Sequence, residues 1–350
     1  MFNFFKPRPK PEIIQQLEKS ICIQLKKYKI IGMQLKKLDQ IDWNSVGYIQ
    51  NKDNQIIELS LRNCELRELP PEIAKLQNLT HLDLRNNKLT NLPPEIGQLQ
   101  NLTELDLEKN KFTNLPPEIG QLQNLTELDL EKNKFTNLPP EIAKLQNLTE
   151  LDLRNNQLTN LSPEIGKLQN LTHLGLVNNQ LTNLPPEIAK LQNLQTLLLS
   201  SNRLTKFPKE LLELNLEVEW NYGLLREKRI YIKDNPFQTP PVEIVKQGRQ
   251  AIVDYYNALE DNKQLIEQEK IVTSTTPKKY TKKAKIVHQL ITKPQSFNEK
   301  IEQPIEQEEF VIPTTPVKHT KKPKIIHQTT TKPRPLNESK LILIGFLIKK

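Results

Sequence analysis

The chain has 350 residues, 26 of them proline and only 5% aromatic, which argues against a core assembled around large rings. Its formal charge of +9 sits at the two ends, while the middle is mildly acidic, so the basic balance does not describe the main body. Two cysteines, Cys22 and Cys64, are too few for a disulfide framework.

At the N-terminus, Phe2, Phe4 and Phe5 form an apolar patch that Lys6 and Pro7 cut short, unlike the core of a signal peptide. The last apolar run, 341–348, is far shorter than the ~20 residues of a membrane span. Together these features predict an intracellular, cytoplasmic setting. Between residues 12 and 38, Ile13, Leu17, Ile21 and Leu25 recur at four-residue spacing, with Lys19, Lys26, Lys27 and Lys36 elsewhere. That pattern predicts an amphipathic helix within an N-terminal helical cap over 1–55, covering the first strand of the region from 56 onward. A basic helix lying on anionic membrane is the alternative reading.

From 56 to 238 the chain repeats itself. Leu69, Leu92, Leu115, Leu138, Leu161 and Leu184 each open a unit of 23 residues, and the units from Leu92 and Leu115 are identical. Within L-T-E-L-D-L, alternation turns Leu102, Leu105 and Leu107 inward and Glu104 and Asp106 outward, which is strand periodicity. Asn110 and its counterparts Asn87, Asn133, Asn156, Asn179 and Asn202 are placed to bond the backbone groups of the adjoining turn, with Cys64 at the same place in the first unit. The Pro-Pro-Glu-Ile segment stiffens the return path, with Ile96 and Leu99 facing inward. One unit buries too little to fold alone, so the units must stack and the stack must be capped.

The period and pattern resemble leucine-rich repeats, in particular the intracellular class of Ras-suppressor and plant Ras-group-related proteins. The predicted fold is therefore α/β: a leucine-rich-repeat solenoid with a curved parallel sheet on the concave face. Short irregular or 3-10 segments would lie on the convex face, with helical caps and a disordered C-terminal tail.

A final unit is read at Ile230–Phe237, followed by a C-terminal capping helix over 239–261 that starts at Pro240-Pro241 and presents Ile244, Val245, Gly248, Ile252, Tyr256 and Leu259 on one face. The run from Asp234 to Tyr256 resembles the junction that precedes the GTPase domain of bacterial Roco-type proteins. Residues 262–340, rich in Lys, Thr, Pro and Gln and containing a tandem duplication, are expected to be a disordered basic linker. That linker could fold back on an acidic repeat face. Lys340-Leu-Ile-Leu-Ile-Gly345, within a short apolar remnant at 341–350, is similar to the first strand and glycine of a Ras-like GTPase. Only Phe346-Leu-Ile-Lys-Lys350 comes after it, so no phosphate loop is expected.

No grouping of residues suggests catalysis, a cofactor or a metal; His288 and His327 are read as unliganded. The outward strand residues define the predicted partner-binding face: His81, Asp83 and Arg85; Glu104, Asp106 and Glu108; Glu127, Asp129 and Glu131; Glu150, Asp152 and Arg154; then His173, Val177 and Leu198. Its middle is an acidic stripe suited to steering a basic segment, and its C-terminal third is neutral to apolar. The expectation is an adaptor in intracellular signalling with a protein partner, a small GTPase or a basic segment, in preference to nucleic acid or membrane. Two alternatives stand: the regulatory remnant of a Roco-type GTPase, and a nucleic-acid or membrane tether acting through the basic termini.

Overall fold

The computed structural model describes residues 10–27, 36–37, 46–221 and 228–275. Helix α1 (Glu12–Lys27) precedes strands β1 (Lys36–Lys37), β2 (Gly47–Gln50) and β3 (Ile56–Ser60). One three-residue strand per unit comes next: β4 (His81–Asp83), β5 (Glu104–Asp106), β6 (Glu127–Asp129), β7 (Glu150–Asp152), β8 (His173–Gly175) and β9 (Thr196–Leu198). The chain closes with β10 (Glu217–Glu219), β11 (Arg229–Tyr231), α2 (Val242–Val245) and α3 (Arg249–Thr275). All eleven strands lie in one sheet, parallel from β3 onward, and each unit returns through a short 3-10 turn such as Pro94–Gln98 or Pro117–Gln121.

The proline pair explains the turn. Pro93 is extended, with φ −67 and ψ 146, and Pro94 occupies the first position of the turn, where its missing N–H costs nothing. Adjacent turns stack closely: a Cβ on Gly97 would sit 2.8 Å from the Glu118 carbonyl oxygen. Leu102, Leu105, Leu107, Ile96 and Leu99 fill the interior of the same unit and are almost fully buried. In the two identical units the stack includes Phe112 and Phe135, whose rings are parallel within 10° with centroids 6.4 Å apart.

The asparagine ladder holds the interior turns. Asn133 donates through Nδ2 to the carbonyls of Leu107 at 2.9 Å and Leu130 at 3.1 Å, and its Oδ1 accepts the Phe112 N–H at 3.1 Å. One side chain thus ties two consecutive units, and the same bonds recur at Asn87, Asn110, Asn156, Asn179 and Asn202. Cys64 donates through Sγ to the Arg62 carbonyl at 3.1 Å, while its N–H reaches Asn87 Oδ1. Having no earlier ladder turn beneath it, this first position needs only a weak donor. Burial pushes its thiol up to about 12. The residue before each ladder position is left-handed, at φ 53 to 58 in Lys109, Lys132 and Asp234.

The ends depart from the sequence expectation in three respects. First, Ile14 and Leu17 of α1 are fully buried, but the helix packs at the first 3-10 turn, where Lys75 Nζ donates to Gln16 Oε1. The edge of β3 is instead covered by β2, which runs antiparallel to it; only another strand offers the backbone groups that an open edge lacks. The helical pattern also stops before Leu38, because Lys36–Lys37 is a strand.

Second, β11 lies between β9 and β10, so the strand of the Phe207 unit is pushed to the sheet edge. Asn235 accepts from Leu204, 31 residues earlier, where the other rungs span 21. The extra ten residues, 31 against 21, carry β10 outside the ladder.

Third, the capping helix is interrupted at Gly248, at φ 92, and α3 runs on to Thr275, so 262–275 is helical and belongs to no disordered linker. Residues 257–264 are exposed, and a run rich in Glu, Gln, Lys and Leu sustains the helix by propensity, with a Lys263–Glu260 pair at i,i+3. Closure rests on Arg249, whose guanidinium donates to the carbonyls of Leu212, Leu214 and Leu216. The linker from 276 to 340, its histidines and the remnant at 341–350 lie outside the described residues.

Candidate partner-binding face

Because the units pair in register, like positions stack into columns across the sheet. One column runs His81, Glu104, Glu127, Glu150, His173, Thr196; the next runs Asp83, Asp106, Asp129, Asp152, Gly175, Leu198. The third column carries Arg85, Glu108, Glu131, Arg154 and Val177 just beyond each strand. All the predicted face residues therefore lie on one surface, at a step of about 4.8 Å between strands.

The first two columns are compensated toward their ends and not in the middle. Asp83 receives Arg62 Nη2 at 2.7 Å and Arg85 Nε at 3.0 Å, and Arg85 also reaches Asp106 at 3.0 Å. Burial alone would raise the Asp83 carboxyl, but the two guanidinium groups hold it below the usual carboxylate range. At the other side Arg154 clamps Asp152 at 2.5 Å and Glu131 at 2.7 Å, and Lys132 bridges Glu131 at 2.7 Å and Glu108 at 3.0 Å. Asp129 accepts the Glu131 N–H at 2.8 Å and, among the described residues, has no cation bridging it.

Burial and, after it, like charges shift these groups upward. Burial, with Asp106 and Asp152 on either side, drives the Asp129 carboxyl well above its ordinary value. Burial together with Glu104 and Glu150 raises Glu127 to about 7, and burial raises Asp106 to about 6 despite Arg85.

His81 stands between Glu58 and Glu104 in its column. Thr80 Oγ1 lies 2.9 Å from the Ile57 carbonyl oxygen and 2.7 Å from His81 Nδ1. His81 Nε2 lies 2.9 Å from Glu104 Oε1. The bond to Glu104 raises the imidazole pKa accordingly.

C-terminal to Arg154 the face loses its charge. Gly175 is buried, and its missing Cβ makes room for the Asp152 and Arg154 side chains: a Cβ there would lie 2.9 Å from Asp152 Oδ1 and 3.2 Å from Arg154 Cγ. Val177 and Leu198 lie beyond it, and Ser200 is buried. Sequence reasoning missed two contributors, Arg62 and Lys132. Arg62 could have been found from its place in the Arg85 column; Lys132 reaches its carboxylates because it occupies the left-handed position beside the ladder.

A parallel sheet with one strand and one 3-10 turn per unit, tied by a buried asparagine ladder, defines a repeat solenoid. Such folds are typically non-enzymatic scaffolds that bind along the strand face. Family models agree on the class: a leucine-rich repeat region matches residues 13–132, and leucine-rich repeat models match 123–165, 146–186 and 193–214. The chain is a leucine-rich-repeat protein.

Among solved structures it is similar to a leucine-rich-repeat protein of Leptospira interrogans, at 45% identity over 54% of this chain and 46% of that one, with a TM-score of 0.49. It is also similar to the plant peptide hormone receptor RGFR1 in complex with RGF2, at 28% identity over 49% and 27% of the two chains, with a TM-score of 0.41. Internalin C2 of Listeria monocytogenes matches at 28% identity over 52% and 74%, with a TM-score of 0.44. The chain thus spans about half the length of the Leptospira protein and about a quarter of the plant receptor. No curated protein sequence matches.

Proposed function

We propose that the protein is a binding scaffold whose strand face captures a basic segment of a protein partner. The observation that supports this reading is the pair of register-matched carboxylate columns in which Glu127 and Asp129 lack a cation while both flanks are clamped by Arg85 and Arg154. A partner lysine or arginine placed there would oppose the burial and like-charge repulsion that raise both carboxyls, and would favour their ionised form. The apolar pair Val177 and Leu198 then receives the uncharged end of the same segment. Binding couples to proton release, so it should strengthen as pH rises through the range 6 to 7 in which Asp106 and Glu127 titrate.

The resemblance to Ras-related repeat proteins supports a small GTPase as the bearer of that segment, in an intracellular signalling role. The test is capture from solution of a peptide with alternating lysine and arginine, measured by calorimetry at two salt concentrations. Charge reversal at Asp106, Asp129 and Asp152 to lysine abolishes capture if the reading is right. Undiminished binding by that variant overturns it.

A further inference from the structure

A second open groove, of about 710 Å³, runs along the side where the chain enters the strands, and none of its ten lining side chains is charged. In a chain with 26% charged residues, this lining repeats one pair four times, an asparagine and a threonine two residues later, and ends on Asn193 and Gln195. It was not anticipated from the sequence.

The hydrogen bonds fix what the pair offers. Asn124 and Asn147 donate through Nδ2 to the carbonyls of Gln100 and Gln123, each at 2.8 Å. A carbonyl can only accept, so the amide orientation is determined. Oδ1 and the second N–H of each exposed amide stay outside that bond. Thr126 and Thr149 donate their hydroxyl protons to the carbonyls of Thr103 and Thr126, each at 3.0 Å, which leaves the oxygen lone pairs and the methyl toward the groove. Each step therefore presents an acceptor and donor pair, a hydroxyl acceptor and a small apolar contact, all neutral, repeated at the strand spacing of about 4.8 Å.

We propose that this groove binds a linear, uncharged, hydroxyl-rich oligosaccharide with about one ring per repeat. Sugar hydroxyls both donate and accept, which matches the exposed amides and threonine oxygens. Cationic or anionic ligands find no counter-charge among the lining residues. An extended peptide places like-facing backbone groups about 6.8 Å apart and falls out of phase with the ladder. With no aromatic platform lining the groove, each ring is held weakly and affinity accumulates with chain length.

The test is a titration of the full chain, followed by amide chemical shifts, with cellohexaose, maltohexaose and chitohexaose, their disaccharides, and spermine as a cationic control. The expected result is that at least one hexasaccharide shifts groove residues and binds about tenfold more tightly than its disaccharide. The double variant Thr126→Val with Thr149→Val should weaken that binding about tenfold. It keeps the Thr103 carbonyl paired through the backbone N–H groups of Thr126 and Glu127, so it should still fold. Asn147→Arg, at an exposed position, fills the groove and serves as the second variant. Absence of shifts with all three hexasaccharides, unchanged affinity in both variants, or stronger shifts of the same residues with spermine overturns the proposal.

Discussion

The rungs β5 and β6 and the rungs β8 and β9 share one backbone and differ almost entirely in what they display. In the first pair every outward strand position is a carboxylate; in the second the same positions hold histidine, glycine, threonine and leucine. Beneath both, the leucines and the ladder asparagines are the same, and they are buried to the same degree. A scaffold of this kind separates its tasks by column: interior columns fix the fold, and outward columns are free to carry chemistry.

The largest way to break that comparison is at the ladder. Asn133→Ala leaves the Phe112 N–H without its partner and removes one of the two amide donors to each of the Leu107 and Leu130 carbonyls, which Asn110 and Asn156 still reach, and should cost about 2–3 kcal/mol in denaturant unfolding. Asn179→Ala beneath the uncharged rungs should cost the same within about 1 kcal/mol. A large inequality would show that the acidic rungs burden the interior after all.

A smaller effect of opposite sign should appear at Asp129→Asn. Folding lifts the carboxyls of Asp106 to about 6 and Glu127 to about 7, above unfolded values near 4. Groups raised in this way favour the folded state fully below about pH 4 and lose that contribution as pH rises through 6 to 7. The wild-type melting temperature should therefore fall between pH 5 and pH 8. The amide variant should melt about 2–4 °C higher than wild type at pH 8 and no higher at pH 5. A uniform shift at both pH values would exclude charge as the cause. The counterparts with lowered carboxyls, Asp83 and Glu108, lose their contribution only at lower pH.

The smallest expected change is Gly175→Ala. Its Cβ meets Asp152 Oδ1 at 2.9 Å and Arg154 Cγ at 3.2 Å, two side-chain atoms that can shift. It should cost under about 1 kcal/mol in stability yet weaken capture of the basic peptide several-fold, because the Asp152–Arg154 clamp beside the acidic stripe must shift. Unchanged affinity would remove this clamp from the binding face.

Much of this was legible because strict periodicity makes the sequence its own alignment. Six ladder asparagines at one spacing announce a solenoid, and alternation in L-T-E-L-D-L assigns every face residue to its column. The misses share a physical origin: they lie where the period lapses or where a residue serves two ends. The displaced β10 results from the lengthened interval before Asn235, which a pattern search reads simply as a late unit. The extension of α3 lacked an apolar stripe to mark it, and residues 257–264 at its start are all exposed. The asparagine–threonine pairs of the groove, from Asn101 and Thr103 to Asn170 and Thr172, were visible in the repeat, but their bonds to backbone carbonyls make them look like framework alone.

The two identical units have a consequence for how such a protein can change. Residues 92–114 and 115–137 are interchangeable, and each ladder bond crosses only to the neighbouring unit. Loss of one copy would leave Asn91 followed by the same residues as before, with every bond finding an equivalent atom. Gain of a copy would add one more acidic rung and one more asparagine–threonine step. The molecule can thus lengthen or shorten both of its surfaces by whole rungs, in a single genetic event, without refolding its interior.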